Sequence, residues 1–240
     1  MTPSLRGPLL AACLLMLGGC ATQLPAGHTL DPRDPYESYN RSMFEFNSRV
    51  DEAVIRPVAQ AYQQGVPRPV RIGVNNFFGN LSDVATTVHH LLQAEGSLAG
   101  RSAGRVLVNT TIGILGFFDP ASEMGIAKTS KEDFGQTFGR WGAEPGAYVV
   151  LPFFGPSTGR DAFGTVLDIA ADPIGPLLDM NTTWRYTSWG VRIVDTRANL
   201  LELDSMLDTL SFDRYLSVRD AYLARREQQV NNGEVDRRLP

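Results

Sequence analysis

Apolar side chains recur at alternating spacings of three and four residues near the start of this chain. That spacing places them on one face of an α-helix, with most of the intervening polar residues on the other face. Similar periodicity returns through most of the sequence, and strand signals are scarce. The sequence therefore predicts an all-α fold built from amphipathic helices. The apolar positions of the first helix are Tyr36, Tyr39, Met43, Phe46, Val50 and Val54.

Capping residues and helix breakers set the expected bounds of these helices. Asp34 can cap the first helix, Arg56-Pro57 indicates a break after it, and Gly79 is expected to end another helix. The last helix should start at Asp213. The expected helices cover residues 36–55, 58–64, 69–78, 82–93, 96–114, 162–171, 183–210 (one helix or a pair) and 213–229.

Glycines mark two further features. Gly96, Gly100 and Gly104 recur every fourth residue, so they share one face if the segment is helical. Either close helix pairing of the membrane type or tight packing in a helical core explains this pattern. Residues 116–160 are rich in glycine, proline and aromatic residues, which predicts long loops with short helical or extended pieces.

The first twenty residues have the features of a bacterial lipoprotein signal. Arg6 supplies a positive start, residues 9–17 form an apolar run, and two glycines directly precede Cys20. We expect a signal peptide at residues 1–19, diacylglycerol and N-acyl groups on Cys20, and a linker over residues 20–33. Ala21, in place of an aspartate after the cysteine, favours delivery to the outer membrane. We expect no other cofactor.

Composition excludes several classes of protein. After the signal, no stretch reaches the ~18 to 20 apolar residues of a spanning helix; residues 106–118 should form a buried helix or an interfacial segment. The net charge is −4 without a basic cluster, so nothing indicates nucleic-acid binding. Of the two cysteines, Cys13 lies in the signal and Cys20 would carry lipid. We therefore expect no disulfide and no thiolate metal site.

Enzyme motifs are weak. Ser157 stands in Gly155-Pro156-Ser157-Thr158-Gly159, a match to the nucleophile elbow, but that motif needs a preceding strand and a later histidine. All three histidines precede Ser157. His89 and His90 are adjacent, so on a helix they cannot bind one metal from the same face, and we interpret them as ordinary polar positions. We expect no catalytic or metal site.

The charged residues have ordinary explanations. Asp161, Asp168 and Asp172 could form a carboxylate set, but a solvated helix face explains them equally well. Arginine is spread through the chain, and its planar group of donors suits carboxylates and phosphates. For most of these arginines we expect surface ion pairs on helices.

An ordered series of motifs resembles the VacJ/MlaA family of outer-membrane lipoproteins. Each motif is short, but their shared order covers residues 34–233 and leaves 234–240 as a short charged tail. The motifs are Asp34-Pro35-Tyr36-Glu37-Ser38-Tyr39-Asn40-Arg41-Ser42-Met43, Val66-Pro67-Arg68-Pro69-Val70-Arg71, Asn76-Phe77-Phe78-Gly79-Asn80-Leu81, Arg105-Val106-Leu107-Val108-Asn109-Thr110, Gly116-Phe117-Phe118-Asp119, Asp133-Phe134-Gly135-Gln136-Thr137, Gly146-Ala147-Tyr148-Val149-Val150-Leu151-Pro152, Phe154-Gly155, Arg160-Asp161, Thr196-Arg197-Ala198 and Arg219-Asp220-Ala221-Tyr222.

The resemblance implies a ring of helices around a central amphipathic channel, seated in the outer membrane from its periplasmic side. Phospholipids misplaced in the outer leaflet would pass through the channel to a soluble periplasmic carrier, which maintains lipid asymmetry. The implied partners are phospholipids, a trimeric porin and that carrier, and the implied role involves no covalent chemistry. Residues 134–160 are expected to shape the channel and its rim, with arginines there meeting a phosphate. The candidate channel or lipid-contacting residues are Phe46, Phe134, Arg140, Trp141, Tyr148, Phe153, Phe154 and Arg160.

Two other functions remain open from the residues alone. A structural lipoprotein that braces a porin or the cell wall would show the same amphipathic helices. A lipid-anchored hydrolase would need Ser157 activated by a base. Loss of lipid asymmetry in a deletion strain separates the brace from the channel, and replacement of Ser157 by alanine separates the enzyme from the channel.

Overall fold

The computed structural model describes residues 31–172, 182–210 and 213–231. Cys20, most of the linker and the predicted tail lie outside these residues. Helices make up nearly all of the regular structure, which confirms the all-α class, and one short β-hairpin is the exception. In chain order the elements are α1 (Glu37–Val50), a π-helical turn (Asp51–Ile55), α2 (Arg56–Gly65), α3 (Arg68–Leu92), α4 (Gly96–Thr111), α5 (Pro120–Glu123), α6 (Phe134–Arg140), β1 (Tyr148–Leu151), β2 (Gly155–Thr158), α7 (Gly159–Ala170), α8 (Thr182–Leu210) and α9 (Arg214–Val230).

The first two helices form one continuous run, so the expected break at Arg56-Pro57 is wrong. In the π-helical turn the Arg56 N–H donates to the Asp51 carbonyl, five residues back. Pro57, which has no N–H to donate, then follows directly after this turn, in the first turn of α2. The guanidinium of Arg197, on α8, donates two hydrogen bonds of 2.7 Å to the Asp51 carboxylate and so ties α8 to this turn.

Helix α3 is a single helix where the sequence predicted two. Gly79 lies inside it rather than at an end. A glycine in a helix interior costs only about 1 kcal/mol relative to alanine, and α3 makes the most extensive helix pairing of the fold, with α4. The expected helices near 96–114, 162–171 and 213–229 are present, and 183–210 is one helix. Asp213 caps α9 as predicted, accepting a hydrogen bond from the Leu216 N–H.

The hairpin of β1 and β2 is antiparallel, with Tyr148 opposite Thr158, and it packs on α1 through two asparagines. The Asn40 amide donates to the Tyr148 carbonyl at 3.1 Å and accepts from the Val150 N–H at 2.8 Å. Asn47, two helical turns later, donates to the Leu151 carbonyl at 2.9 Å and accepts from the Phe153 N–H at 2.7 Å. Each side-chain amide thus makes the two hydrogen bonds that a peptide group of a neighbouring strand would make.

Asp34 does not cap α1, contrary to expectation, because it lies fully buried against α9. Its carboxylate accepts hydrogen bonds from Asn40, from the Tyr215 hydroxyl and, at 3.3 Å, from Arg219. Charge-assisted bonds of this kind are stronger than a single cap bond at a solvent-exposed helix end. The start of the described chain is therefore fixed to its last helix.

Helices α6 and α7 cross with their backbones in contact. A Cβ on Gly164 would lie 2.5 Å from the Gly135 nitrogen. By contrast, a Cβ on Gly96, Gly100 or Gly104 would meet nothing within 4 Å. Tight core packing therefore does not explain the stripe on α4, whereas close helix pairing of the membrane type stays a prediction.

Candidate functional site: an apolar exterior and a charged interior

Burial in this fold is inverted relative to an ordinary water-soluble domain. Among the described residues, the buried polar and charged side chains outnumber the buried apolar ones, and many large apolar side chains are exposed. Along α1 and its flanking residues, half of the predicted apolar face points outward: Tyr36, Phe46 and Val54 are exposed, whereas Met43 packs against the core and the polar Glu37 and Asn40 are buried. Exposed apolar area on this scale marks a surface that meets another apolar phase or a partner.

The segment 106–118 shows the inversion most clearly. The interpretation of this segment as a buried helix is wrong, because its large side chains face outward while Asn109 is buried. After α4 the chain turns through Ile114 and Leu115, whose φ angles of 53° and 58° are rare for branched and long apolar side chains. The outward-facing members are Leu107, Ile112, Ile114, Leu115, Phe117 and Phe118, and we name these six the α4 apolar edge.

A partly buried carboxylate supports this edge. Asp119 caps α5 and accepts hydrogen bonds from Arg105 at 2.8 Å and Asn109 at 3.0 Å, with Lys128 at 3.2 Å. Burial alone would raise its pKa, but the donors of Ser122, Arg105 and Asn109 prevail and hold the pKa well below its usual range. The carboxylate is therefore charged, and the strained turn is anchored by an ion pair whose Arg105 is almost fully buried.

Aromatic rings form a row along α6 that reaches α7. The Phe138 ring lies 5.9 Å from each of the rings of Phe134, Trp141 and Phe163. Trp141 and Phe163 are exposed, and the Trp141 indole N–H donates to the Leu92 carbonyl at 3.0 Å. Two of the predicted contact residues, Phe134 and Trp141, thus belong to one aromatic surface.

The turn of the hairpin carries two further predicted residues. Phe153 and Phe154 are both exposed. The Phe153 ring packs edge-on against Phe46 of α1 at 5.4 Å, and Phe154 lies 6.3 Å from Trp189 of α8. Phe153 has a φ of 65°, a conformation that costs an aromatic residue free energy. The fold therefore holds the Phe153 ring outward in a backbone conformation that the local chain does not favour.

Of the other three predicted residues, Tyr148 and Arg160 have buried side chains and Arg140 is half-buried. Tyr148 is fully buried in a core cluster with Val150 and Tyr215. Arg140 pairs with Glu95, and the Arg160 guanidinium donates to Asp161 at 3.0 Å. Carboxylates thus already neutralise both arginines, and their predicted contact with a phosphate stays a prediction.

A buried arginine on α9 organises the neighbourhood of Asp161. Arg226 donates two hydrogen bonds to Asp133, at 2.7 and 3.0 Å, and two of 2.9 Å to Asp161. The Tyr222 hydroxyl donates to Asp161 at 2.7 Å. Arg226 overcomes the effect of burial and lowers the pKa of Asp161 to about 2. A solvated helix face was therefore the wrong interpretation of Asp161.

A second group of charged residues was not predicted from the sequence. Lys131 is exposed to solvent, yet desolvation by surrounding protein lowers its pKa, and the charge of Arg192 on α8 lowers it further. The Arg192 guanidinium donates to Ser82 of α3 at 3.2 Å, and desolvation raises the pKa of the neighbouring Asp83. The charges of Asp83, Arg192 and Asp195 all act on the Lys131 ammonium, so these four residues lie near one another. We name Asp83, Lys131, Arg192 and Asp195 the inner charged cluster.

Asp195 completes this cluster where α8 crosses α2 and α3. It is buried and accepts hydrogen bonds from the Tyr62 hydroxyl at 3.0 Å and the Asn75 amide at 3.1 Å. Desolvation and the Asp195 carboxylate raise the pKa of Tyr62 to about 12. The cluster joins residues more than a hundred positions apart, so no local pattern in the sequence could have indicated it.

The structure places His89, His90 and Ser157 inside the fold. His89 and His90 are buried rather than ordinary surface positions, and His89 Nδ1 lies 3.0 Å from the Thr137 hydroxyl. Ser157 is buried on β2, and its hydroxyl donates to the Thr158 carbonyl at 3.3 Å. Within the described ranges, no three His, Cys, Asp or Glu side chains are grouped to hold a metal.

A family model described as MlaA lipoprotein matches residues 32–229, nearly all of the domain described above. The chain belongs to the MlaA lipoprotein family. This confirms the family resemblance on which the sequence-based expectations rested. In the described part of the chain, no helix combines the length and apolarity needed to cross a bilayer.

Similar proteins agree with membership in the MlaA family. The chain is 38% identical over 237 residues to the intermembrane phospholipid transport system lipoprotein MlaA of Shigella flexneri and to that of Escherichia coli strain K12. Each alignment covers 96% of this chain and 91% of the relative. A structure solved in work on the structural basis for maintenance of bacterial outer membrane lipid asymmetry is 36% identical. It matches with a TM-score of 0.71 over 82% of this chain and 99% of the other.

Proposed function

We propose that this chain is an outer-membrane lipoprotein that removes misplaced phospholipids from the outer leaflet and passes them to a periplasmic carrier. The observation that carries the proposal is the inverted burial, with apolar side chains outside and charged ones inside. The relatives named as parts of an intermembrane phospholipid transport system support it.

The exterior suits a lipid phase. The α4 apolar edge, the hairpin turn and the aromatic row would lie in the acyl and interfacial region, where aromatic residues are favoured. Lipid on Cys20 would hold the chain at the membrane, and the exposed apolar surface would seat the domain in the leaflet facing the periplasm. Lipid cannot hydrogen-bond to bare backbone, and in the turn after α4 the N–H groups of Leu115, Gly116 and Phe118 donate to carbonyls of the same segment, as such a site requires.

The interior suits a phospholipid headgroup. A charged headgroup crossing an apolar layer needs a polar path, since an ion in hydrocarbon is very costly. We propose that the helices surround an amphipathic channel and that the inner charged cluster forms its polar wall. Lys131 and Arg192 would attract the phosphate, and Asp83 and Asp195 would meet an ammonium group. A trimeric porin is the proposed partner within the membrane.

A complementation experiment tests the proposal against the two alternatives. Phospholipid exposed at the surface of intact cells is measured with a membrane-impermeant amine reagent, in a deletion strain and in strains carrying this chain or its Ser157→Ala variant. We expect a rise on deletion and equal reversal by both proteins. No rise on deletion would favour a structural brace, and failure of Ser157→Ala alone, with the protein folded, would favour a hydrolase.

A further inference from the structure

A basic cleft lies apart from the inner charged cluster. It has a volume of about 420 Å³ and is bounded by α4, by residues 128–130 and by α9. Three cationic side chains line it, one from each of these segments: Arg101, Lys128 and Arg225. Cavities of roughly 300 to 1,000 Å³ are typical of small-molecule sites, so the cleft is large enough to receive a compact ligand.

The charge in this cleft is poorly compensated. No carboxylate lines it. Arg101 and Arg225 are exposed, and neither makes an ion pair with any residue in the ranges that the structure describes. Lys128 lies 3.2 Å from Asp119, but Arg105 already binds that carboxylate at 2.8 Å. The cleft therefore presents at least two uncompensated positive charges to a ligand.

The remaining lining suits a polar anion. Ser130, Gln228 and Gln229 add hydrogen-bonding groups, and Leu98 is the one aliphatic residue of the lining. The planar donors of arginine match the oxygens of phosphate or carboxylate. The lining has no aromatic residue, whereas protein–protein interfaces are enriched in aromatic residues. A small phosphate-bearing group fits this chemistry better than an acidic protein surface.

The cleft adjoins the proposed path of the lipid. Lys128 lines the cleft, and Lys131, three residues further along the same segment, belongs to the inner charged cluster. The segment is held to α4 by a 3.0 Å hydrogen bond between the hydroxyls of Thr129 and Ser102. One short, fixed stretch of chain thus separates the two sets of positive charges.

We propose that the basic cleft binds the phosphate of a phospholipid headgroup next to the channel, with the acyl chains remaining outside it. This inference rests on the proposed function and adds a second headgroup site to it. Arg101 and Arg225 would bind the phosphate oxygens, and Lys128 would add its charge.

The test uses the purified full-length lipoprotein in detergent and two probes, dihexanoyl phosphatidylglycerol and inorganic phosphate. The double variant Arg101→Gln with Arg225→Gln removes the two uncompensated charges. Arg49→Gln with Arg68→Gln is the matched control, since both of these arginines are exposed and lie outside the cleft. Circular dichroism melting checks that every protein is folded.

We expect the cleft variant to bind the lipid at least about tenfold more weakly, since each lost charge-assisted bond is worth about a tenfold change or more. The control should bind as the parent protein does. Unchanged affinity in the cleft variant would overturn the proposal, as would inorganic phosphate competing as strongly as the lipid. If loss of the two arginines weakened a complex with an acidic protein but left lipid binding unchanged, the cleft would be assigned to that protein and not to a lipid headgroup.

The surface-exposure assay separates this inference from the proposed function. If the parent chain fails to restore asymmetry in the deletion strain, the proposed function fails whatever the cleft binds. If the parent succeeds and the cleft variant binds lipid normally, the cleft assignment alone fails.

Discussion

Replacement of Asp161 by asparagine should cost this protein a defined and pH-dependent amount of stability. The side chain is almost fully buried, and it accepts charge-assisted bonds from Arg226 and Arg160 and a bond from Tyr222. Its pKa is lowered from 3.8 to about 2 in the folded state. That gap of about 1.8 corresponds to about 2.5 kcal/mol at about 1.36 kcal/mol per pH unit.

The sign follows from the lowered pKa. The folded state binds the Asp161 proton more weakly than the unfolded state does, so the contribution is fully present above about pH 4 to 5. It is lost as the pH falls towards 2. Urea unfolding in detergent should therefore show Asp161→Asn less stable by about 2 to 3 kcal/mol at pH 7, with the difference shrinking below pH 4.

Glu45→Gln is the matched control. Glu45 pairs with Arg49 on α1, but both side chains are mostly exposed. Such a pair contributes about 0 to 1 kcal/mol, so this variant should unfold almost as the parent does. If Asp161→Asn were as stable as the control, or if its deficit were unchanged down to pH 2, the assigned role of the Arg226 network would be wrong.

Four further results are expected. Gly164→Ala should lower thermal stability strongly, because its Cβ would lie 2.5 Å from the backbone nitrogen of Gly135. Gly104→Ala, with open space around its Cβ, should leave the melting temperature equal or raised, and destabilisation there would contradict the packing described. Asn40→Ala should cost about 2 to 4 kcal/mol in urea unfolding, because the Tyr148 carbonyl and the Val150 N–H lose their bonds to the Asn40 side chain and buried Asp34 loses one of its donors. Cys20→Ala should leave the protein unlipidated in a mass spectrum of the mature chain, and a retained diacylglycerol mass would refute the lipidation site.

Local pattern was enough to predict most helices. The helix at 213–229 was bounded to within about a residue, because Asp213 is a capping residue whose effect is confined to one turn. The helix ends expected at Pro57 and Gly79 were wrong. Proline and glycine lower the stability of a helix only locally, and here a π-helical turn before Pro57 and tertiary packing around Gly79 outweighed that effect.

The site was only partly predictable. Periodicity located the apolar face of α1 but could not say whether that face points to a core or outward. Phe153 and Phe154 stood out as aromatic residues in a glycine-rich segment, and Phe46 as an apolar position of the first helix. Their contact with lipid stays a prediction. Lys131 and Asp195 were not predicted as site residues. They belong to the inner charged cluster only because α8 crosses α2 and α3, and the spacing of residues along the chain does not reveal that crossing.

The most direct test asks whether the exposed apolar surface meets lipid or water. Single cysteines carrying a nitroxide label would replace Leu107, Phe118 and, as a control, the exposed Asp220, in the lipidated protein reconstituted into phospholipid vesicles. Collision rates with oxygen, which concentrates in lipid, and with a water-soluble nickel complex are then compared. We expect oxygen to dominate at Leu107 and Phe118 and nickel at Asp220. Equal nickel access at all three positions would contradict a membrane-embedded apolar exterior.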